Sequence, residues 1–315
     1  MLHRYISILA MVIIAHGAIA QGWTKLKGPH GGTVEDFEYD AASGKLYAIV
    51  NNHLFVSTSS GTTWSEIPMP TNYYIEDILI DGSTLVGMLN GSQLMFSVDG
   101  GVTWEERGFT FLPIRTIRKL PGAGMFVGYG EYGIQVTLDE GLTWKKILDI
   151  TPGWDLGIEM VVAGNGDIFV AHRPAGIQKY AFPGDASNPD SWDAANWTTP
   201  LPSGNDYPSI IITPADKIFI TRYDDIQLKA VVESSVDYGA TWQAVPMGGF
   251  AGNEAFVEPV WSIAPTGKLY LFDNSFQNPE LWEYTDGAPT PWVKKGWPTS
   301  PIPDQKVKSA IWTSI

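Results

Sequence analysis

Single acidic side chains are the first candidates for chemistry in this sequence. A pair of carboxyl groups facing each other across a pocket would suit general acid and base catalysis on a glycosidic bond. A lone carboxylate on a strand is more often a hydrogen-bond acceptor than a catalytic acid or base. No sequence motif indicates which two of the carboxylates found here would form such a pair. The carboxylates that stand alone on segments predicted to be inner strands are Asp36, Asp77, Glu159 and Glu258.

Other reactive groups are few or unsuitably spaced. The absence of Cys excludes thiol catalysis, Cys-ligated zinc and a disulfide scaffold. His30, His53 and His172 lack the spacing of zinc ligands. Residues 128–133 match G-x-G-x-x-G, but a strand rather than a helix is predicted to follow, so no helix N-terminus could hold a phosphate. The sequence predicts no cofactor and no metal site.

Composition and the first twenty residues predict an exported, folded protein. The 315 residues include 34 acidic and 20 basic side chains, a net charge of −14 that argues against a nucleic-acid partner. Residues 1–20 have a basic start, an apolar stretch and the cleavage pattern Ala18-Ile19-Ala20, which together are typical of a signal peptide. No later segment is long and apolar enough to span a membrane. We expect a secreted mature chain of residues 21–315, extracellular, periplasmic or on the cell surface.

One octapeptide of the pattern [ST]-x-D-x-G-x-T-W recurs along the chain. Trp64, Trp104 and Trp144 end three copies spaced 40 residues apart, and Trp242 ends a fourth 98 residues later. Degenerate units ending near Trp197 and Trp292 continue the series, and Trp23 lies 41 residues before Trp64. A fixed period of 40 to 50 residues is typical of repeat architectures.

Each repeat contains four short apolar runs separated by turns rich in Gly, Asn and Asp, and no stretch has a convincing helical period. The sequence therefore predicts an all-β fold, a β-propeller of four-stranded antiparallel blades. Six complete units are present. Trp23 and the final segment 307–315 leave open whether six or seven blades form and whether the chain continues past Ile315. The oligomeric state is not indicated.

The octapeptide resembles the Asp-box, or BNR repeat, of the superfamily that includes sialidases, the Vps10 domain of sortilins and xyloglucanase-like propellers. The resemblance implies that the Asp accepts hydrogen bonds from its own turn, that the Gly adopts a positive φ and that the Trp fills the wedge between blades. It also implies that the boxes lie on the face opposite a ligand site. The positions with these structural roles are Ser59, Gly61, Trp64, Asp99, Gly101, Trp104, Asp139, Gly141, Trp144, Asp237, Gly239 and Trp242.

The resemblance extends to no catalytic motif. A sialidase would need an arginine cluster for the substrate carboxylate, whereas the expected mature chain has five scattered arginines. The nearest match to a Phe/Tyr-Arg-Ile-Pro motif, at 112–115, has the wrong order. Xyloglucanase-like enzymes would need two propellers that form a cleft, whereas this sequence predicts a single propeller. Sialidase activity is therefore not expected.

The face opposite the octapeptides is predicted to bind the ligand. Loops that enter the inner strands and loops that join second to third strands would meet there, and they are rich in aromatic and polar side chains suited to a sugar or an extended peptide. We expect a binding module for glycan or protein, with glycoside hydrolase or lyase activity on a polysaccharide as the alternative. The candidate ligand-binding residues are His53, Tyr73, Tyr74, Glu131, Tyr132, Trp154, Arg173, Tyr207, Arg222 and Tyr223.

Overall fold

The described part of the chain is built almost wholly from short antiparallel strands. The computed structural model describes residues 34–40, 42–70, 74–89, 93–108, 114–122, 124–130, 132–150, 159–172, 176–201, 209–224, 229–246, 260–263, 268–273, 280–288 and 291–295. These residues form 24 strands in six sheets, and each sheet contains four consecutive strands in sequence order. The predicted signal peptide, Trp23, Glu258 and residues 307–315 lie outside the described residues.

The first three sheets are blades 1 to 3. Blade 1 contains β1 (Val34–Asp40), β2 (Lys45–Val50), β3 (His53–Ser57) and β4 (Ser65–Ile67). Blade 2 contains β5 (Ile75–Asp81), β6 (Thr84–Leu89), β7 (Gln93–Ser97) and β8 (Glu105–Glu106). Blade 3 contains β9 (Ile114–Lys119), β10 (Phe126–Gly130), β11 (Gly133–Thr137) and β12 (Lys145–Asp149).

The remaining sheets are blades 4 to 6. Blade 4 contains β13 (Glu159–Val162), β14 (Ile168–His172), β15 (Gly176–Tyr180) and β16 (Trp197–Leu201). Blade 5 contains β17 (Ser209–Ile212), β18 (Ile218–Asp224), β19 (Lys229–Ser235) and β20 (Gln243–Ala244). Blade 6 contains β21 (Val260–Ile263), β22 (Leu269–Asp273), β23 (Glu280–Tyr284) and β24 (Trp292–Lys295).

The first strands of successive blades contact one another in series, β1 against β5, β5 against β9, β9 against β13, β13 against β17 and β17 against β21. First strands that follow one another around a centre are the inner strands of a propeller. The predicted fold is therefore confirmed, with six blades in the described residues rather than an undecided six or seven.

The apolar core lies between neighbouring blades. Tyr47, Ile49 and Leu54 of blade 1 pack with Ile78 and Leu85 of blade 2, and each is almost fully buried. Blades 2 and 3 meet through the edge-to-face pair Phe96 and Phe126, whose ring centroids are 5.8 Å apart. Blades 2 to 5 therefore each pack against a neighbour on both faces, which explains why second strands such as β2 and β6 are largely apolar rather than alternating.

Blade 4 differs by an insertion between its third and fourth strands. The insertion contains two short 3₁₀ helices, Pro189–Ser191 and Ala194–Asn196. It buries Trp192, which stacks on Tyr180 with ring centroids 5.7 Å apart. Trp197 then begins the outer strand, and its indole N–H donates to the Ile147 carbonyl of blade 3 at 2.9 Å. The insertion replaces the octapeptide turn while keeping a Trp at the start of the outer strand.

Candidate functional site

The strand order gives the propeller two different ends. At one, called here the octapeptide end, the first and second strands are joined by connections of two to six residues, and the octapeptide turns follow the third strands. At the other, called the loop end, connections of seven to fifteen residues lead from each blade to the next first strand, beside the turns between second and third strands. Binding residues tend to lie on longer loops held by a rigid scaffold, which favours the loop end.

The octapeptide turns are held by hydrogen bonds within themselves. In blade 2 the Thr103 backbone N–H donates to Asp99 Oδ1 at 2.9 Å, and the Thr103 hydroxyl donates to Asp99 Oδ2 at 2.6 Å. Ser97 Oγ donates to Asp99 Oδ1 at 2.8 Å and accepts from the Gly101 N–H at 2.8 Å. The side-chain and backbone hydrogen bonds from Thr103, followed by the one from Ser97, lower the pKa of Asp99 to about 2.

The same arrangement recurs in the other octapeptides. Asp139 and Asp237 accept from the Thr143 and Thr241 N–H groups at 2.9 and 2.8 Å. Hydrogen bonds from Thr241 lower the pKa of Asp237 to about 2, and those from Thr143 lower the pKa of Asp139 against an opposing effect of burial. In blade 1, Ser59 Oγ accepts from the Thr63 N–H at 2.9 Å. The Asp carboxylates therefore accept hydrogen bonds from their own turns, and few acceptor positions on them remain for a ligand.

The Gly of three octapeptides, Gly101, Gly141 and Gly239, packs closely against the preceding blade. Gly141 has φ of +86°, and a Cβ there would lie 2.6 Å from Phe96 Cζ of blade 2. Gly239 has φ of +79°, and its Cβ would lie 2.9 Å from Phe169 Cε1 of blade 4. The Gly carbonyl is also used, because Trp104 Nε1 donates to Gly101 O at 3.2 Å. The octapeptide therefore joins one blade to the next, which is a structural role.

Three predicted ligand-binding residues have described side chains, and all three lie at the loop end. Tyr74 precedes β5 and is 60% exposed, and Tyr132 lies in the β10–β11 turn and is 45% exposed. His53 begins β3, and its Nδ1 lies 2.8 Å from Glu66 Oε1 on the outer strand. Arg222 and Tyr223 lie in β18 without described side chains. The others, which lie outside the described residues and remain predictions, are Tyr73, Glu131, Trp154, Arg173 and Tyr207.

Polar residues occupy the same register position in the inner strands of five blades. The sequence alone does not identify them as a group. The third-strand residues Leu54, Leu94, Ile134, Ile177 and Val232 occupy equivalent positions, and each is paired to a second-strand residue. Those second-strand residues, Ile49, Met88, Tyr129, Ala171 and Thr221, are in turn each paired to the inner strand. The inner-strand partners, called here the axial ring, are Asp36, Asp77, Thr116, Glu159 and Ser209 of blades 1 to 5.

The axial ring lies near the start of the inner strands, at the loop end, because each of its members is one of the first three residues of its strand. In blades 2 to 5 the residue after the ring position, Ile78, Ile117, Met160 or Ile210, is buried in an interblade cluster. Because alternate strand residues face opposite ways, the ring residues face away from those clusters. In blades 1 to 3 a β-bulge immediately precedes the ring residue. Bulges commonly re-aim a side chain beside a functional site.

Neighbouring ring residues contact each other directly. Asp36 and Asp77 share a side-chain hydrogen bond between blades 1 and 2. Glu159 Oε2 accepts from Ser209 Oγ at 2.8 Å and from the Ile210 N–H at 2.7 Å, linking blades 4 and 5. Thr116, between these two pairs, is only 7% exposed, and its hydroxyl has no hydrogen-bond partner among the described residues.

The electrostatics of the ring are opposite to those of the octapeptide end. Burial, followed by repulsion from Asp77 and Glu38, raises the pKa of Asp36 from 3.8 to about 8. Burial and the charge of Asp77 raise the pKa of Glu38, two residues further along β1, to about 7 despite the attraction of Arg118. Burial also raises the pKa of Glu159. Since Glu38 and Arg118 belong to blades 1 and 3, their interaction extends past blade 2, which lies between them.

The ring does not have the spacing of a two-carboxylate glycosidase site. Retaining and inverting enzymes separate their carboxyl groups by about 5 to 9.5 Å, whereas the hydrogen bond between Asp36 and Asp77 brings these groups closer. The described residues contain no group of three or more acidic, His or Cys side chains placed to hold a metal ion. In the same part of the chain, no helix is long and apolar enough to cross a membrane.

Comparisons with known proteins show the fold. No family model and no curated protein match the chain. YCF48 bound to D1 peptide is 16% identical with a TM-score of 0.59, covering 85% of this chain and 82% of that one. YCF48 from Cyanidioschyzon merolae is 14% identical with a TM-score of 0.60, covering 87% and 88%. An ancestral GH74 enzyme is 14% identical with a TM-score of 0.56, and the match covers 84% of this chain but 41% of the enzyme.

Proposed function

We propose that this chain is an exported binding module whose loop end holds a polypeptide ligand. The observation that carries the proposal is the contrast between the two ends, because the octapeptide carboxylates are engaged by their own turns while the axial ring has a spare hydroxyl and carboxyl groups of raised pKa. The likeness to YCF48 bound to D1 peptide, which covers most of both chains, favours a polypeptide over a glycan.

Panning a displayed random peptide library against the full chain tests this proposal. We expect enriched peptides whose affinity falls at least about tenfold, or about 1.4 kcal/mol, in a Tyr74→Ala/Tyr132→Ala variant. The matched control is Val102→Ala/Leu142→Ala, which removes apolar side chains that are 78% and 63% exposed at the octapeptide end. Loss of affinity in the control alone would place the ligand at the octapeptide end and contradict the proposal.

A glycan array on the same protein separates the two ligand classes. Binding to glycans with no enriched peptide would replace the polypeptide by a sugar at the same end. Silence in both assays, from a protein that melts cooperatively, would refute the binding function. Export is tested separately by N-terminal sequencing of protein recovered outside the cytoplasm, where a chain beginning at Gln21 is expected.

Glycoside hydrolysis is a second candidate function, favoured by the raised pKa of Asp36. A general acid must keep its proton near neutral pH, and a pKa of about 8 satisfies that requirement. The candidate predicts turnover of some polysaccharide that Asp36→Asn abolishes and the exposed-site change Asp190→Asn leaves intact. No turnover across a broad polysaccharide panel would rule against it.

A further inference from the structure

The axial ring and its neighbours carry more negative than positive charge. Asp36, Glu38, Asp77 and Glu159 supply four carboxyl groups, and among the described residues Arg118 is the positive group that acts on two of them, Glu38 and Glu159. Burial makes uncompensated charge costly, so the free protein retains protons in the ring instead of ionising fully. A positively charged donor placed on the axis would remove that cost.

Two buried hydroxyls beside the ring also lack partners. Thr116 Oγ1 lies between the linked pairs, and Thr221 Oγ1 lies behind Ser209, to which Thr221 is paired across the sheet. Thr221 is only 1% exposed, and neither hydroxyl has a hydrogen-bond partner among the described residues. Buried polar groups are normally satisfied, so two orphans on the ring face indicate a place where a polar group from outside completes the network.

The arrangement of the ring residues limits which polar group of a ligand could bind there. A group that enters the ring must fit beside side chains that already contact each other, as Glu159 and Ser209 do at 2.8 Å. The described residues offer no arrangement of three acidic, His or Cys ligands for a metal ion. A primary ammonium on a thin, flexible stem has three N–H donors and no acceptor, which matches carboxylate and hydroxyl oxygens.

From this geometry we infer that the axial ring binds the ammonium group of a lysine side chain from the ligand, inserted along the axis from the loop end. The inference rests on the proposed polypeptide ligand and adds the residue that the ligand must contribute. Asp36 and Asp77 accept two of the ammonium hydrogen bonds, and Thr116 is the nearest unpaired acceptor for the third. The proton that Asp36 holds in the free protein is released to water when the ammonium binds.

Binding should therefore depend on pH. Among the described residues, Asp77 on β5 and Glu38 on β1 are the charges that act on Asp36, and Arg118 on β9 acts in turn on Glu38 and on Glu159 of β13. Below the Asp36 pKa of about 8, the ammonium must displace a proton. Affinity should rise between pH 6 and pH 8, by up to about tenfold per pH unit, and level off above that range while the lysine remains charged.

A double-mutant cycle on peptides selected by panning tests the inference. Peptides should be enriched in Lys, and replacing that Lys by norleucine, which keeps the stem and removes the charge, should weaken binding at least about tenfold to the native protein. The same replacement should cost less than about twofold in Asp36→Asn/Asp77→Asn. The matched control Asp185→Asn/Asp190→Asn removes two exposed carboxylates from the blade 4 insertion and should behave as the native protein.

Thr116→Val and a small amine complete the test. Thr116→Val keeps the side-chain shape and should weaken Lys peptides more than norleucine peptides. n-Butylammonium chloride should raise the Tm of the native protein relative to NaCl, and this effect should be absent in Asp36→Asn/Asp77→Asn. Peptides that bind without Lys dependence would overturn the inference and leave the proposed function standing. An absence of any bound peptide would refute the proposed function, and the inference would fall with it unless n-butylammonium still gave the ring-dependent shift.

Discussion

The octapeptide end and the axial ring use the same chemical group in opposite ways. Asp99 and Asp237 receive hydrogen bonds from the backbone and hydroxyls of their own turns, and these bonds lower the pKa of each to about 2. Asp36 is surrounded by protein and by other carboxyl groups, and its pKa rises to about 8. A carboxylate that accepts hydrogen bonds from nearby donors stabilises the fold. A carboxyl group that faces other carboxyl groups lowers the stability of the folded state when it ionises.

That difference separates structural from candidate functional residues. Native proteins keep groups in unfavourable surroundings chiefly at sites where a ligand or a reaction uses them. The octapeptide Asp is explained by its turn alone. The ring is not explained by folding alone, since hydrophobic residues at the same positions would pack without repulsion. Changes at the two regions should therefore move stability in opposite directions.

The largest effect is expected at the octapeptide Gly. Gly101 has φ of +95°, and a Cβ there would overlap Ile67 of blade 1. Gly101→Ala should lower the free energy of unfolding by about 2–4 kcal/mol, because backbone strain adds to a clash in a packed interface. Urea unfolding measures the loss.

The neighbouring Gly100 provides a control within the same turn. It has φ of +77° with nothing within 4 Å of a Cβ, and Ser60, Glu140 and Tyr238 occupy its position in the other copies with positive φ. Gly100→Ala should cost less than about 1 kcal/mol. Equal losses for the two variants would show that contact with the preceding blade is not the reason for Gly101.

An intermediate pair of effects compares the two carboxylate environments directly. Asp139→Asn should destabilise the protein by on the order of 1–2 kcal/mol at pH 8, because an amide cannot accept all the bonds from Thr137 and Thr143. Asp36→Asn should instead stabilise it by on the order of 1 kcal/mol at pH 8, because it removes a costly ionisation. Both are read from unfolding curves at several pH values.

The pH dependence fixes the sign of each effect. For Asp36, the folded protein binds a proton more tightly than the unfolded chain, so stability falls as pH rises from about 4 to about 8, and the advantage of Asp36→Asn should vanish near pH 4. For Asp139, whose folded pKa is lowered, the contribution is present above the unfolded pKa near 3.8 and is lost at lower pH. A stabilising effect of Asp36→Asn that persisted at pH 4 would contradict the titration.

The sequence predicted the blades better than the ring, for a physical reason. The octapeptide is a local motif whose bonds join residues four apart, such as Asp99 with Thr103, so its structure follows from the pattern itself. The ring depends on the register between strands, and the bulges before Asp36, Asp77 and Thr116 shift it by one residue. The sequence identifies Asp36, Asp77 and Glu159 only as isolated carboxylates, and Thr116 and Ser209 carry no signal apart from that register.

The smallest effect is expected at the one octapeptide that lacks its Asp. Ser59 already accepts from the Thr63 N–H at 2.9 Å and is paired with the Thr63 hydroxyl at 2.8 Å, so Ser59→Asp would strengthen bonds that exist. We expect a gain of about 0.5 kcal/mol at pH 7 that is lost as the pH falls from about 4 to about 2, because the equivalent carboxylates Asp99 and Asp237 have a pKa of about 2. Thr58→Asp adds the same charge at an exposed neighbouring position and should give no gain. Equal effects of the two changes would mean that the added charge, rather than the geometry of the turn, is responsible for the gain. That outcome would contradict the view that hydrogen bonds within the turn distinguish the octapeptide carboxylates from those of the axial ring.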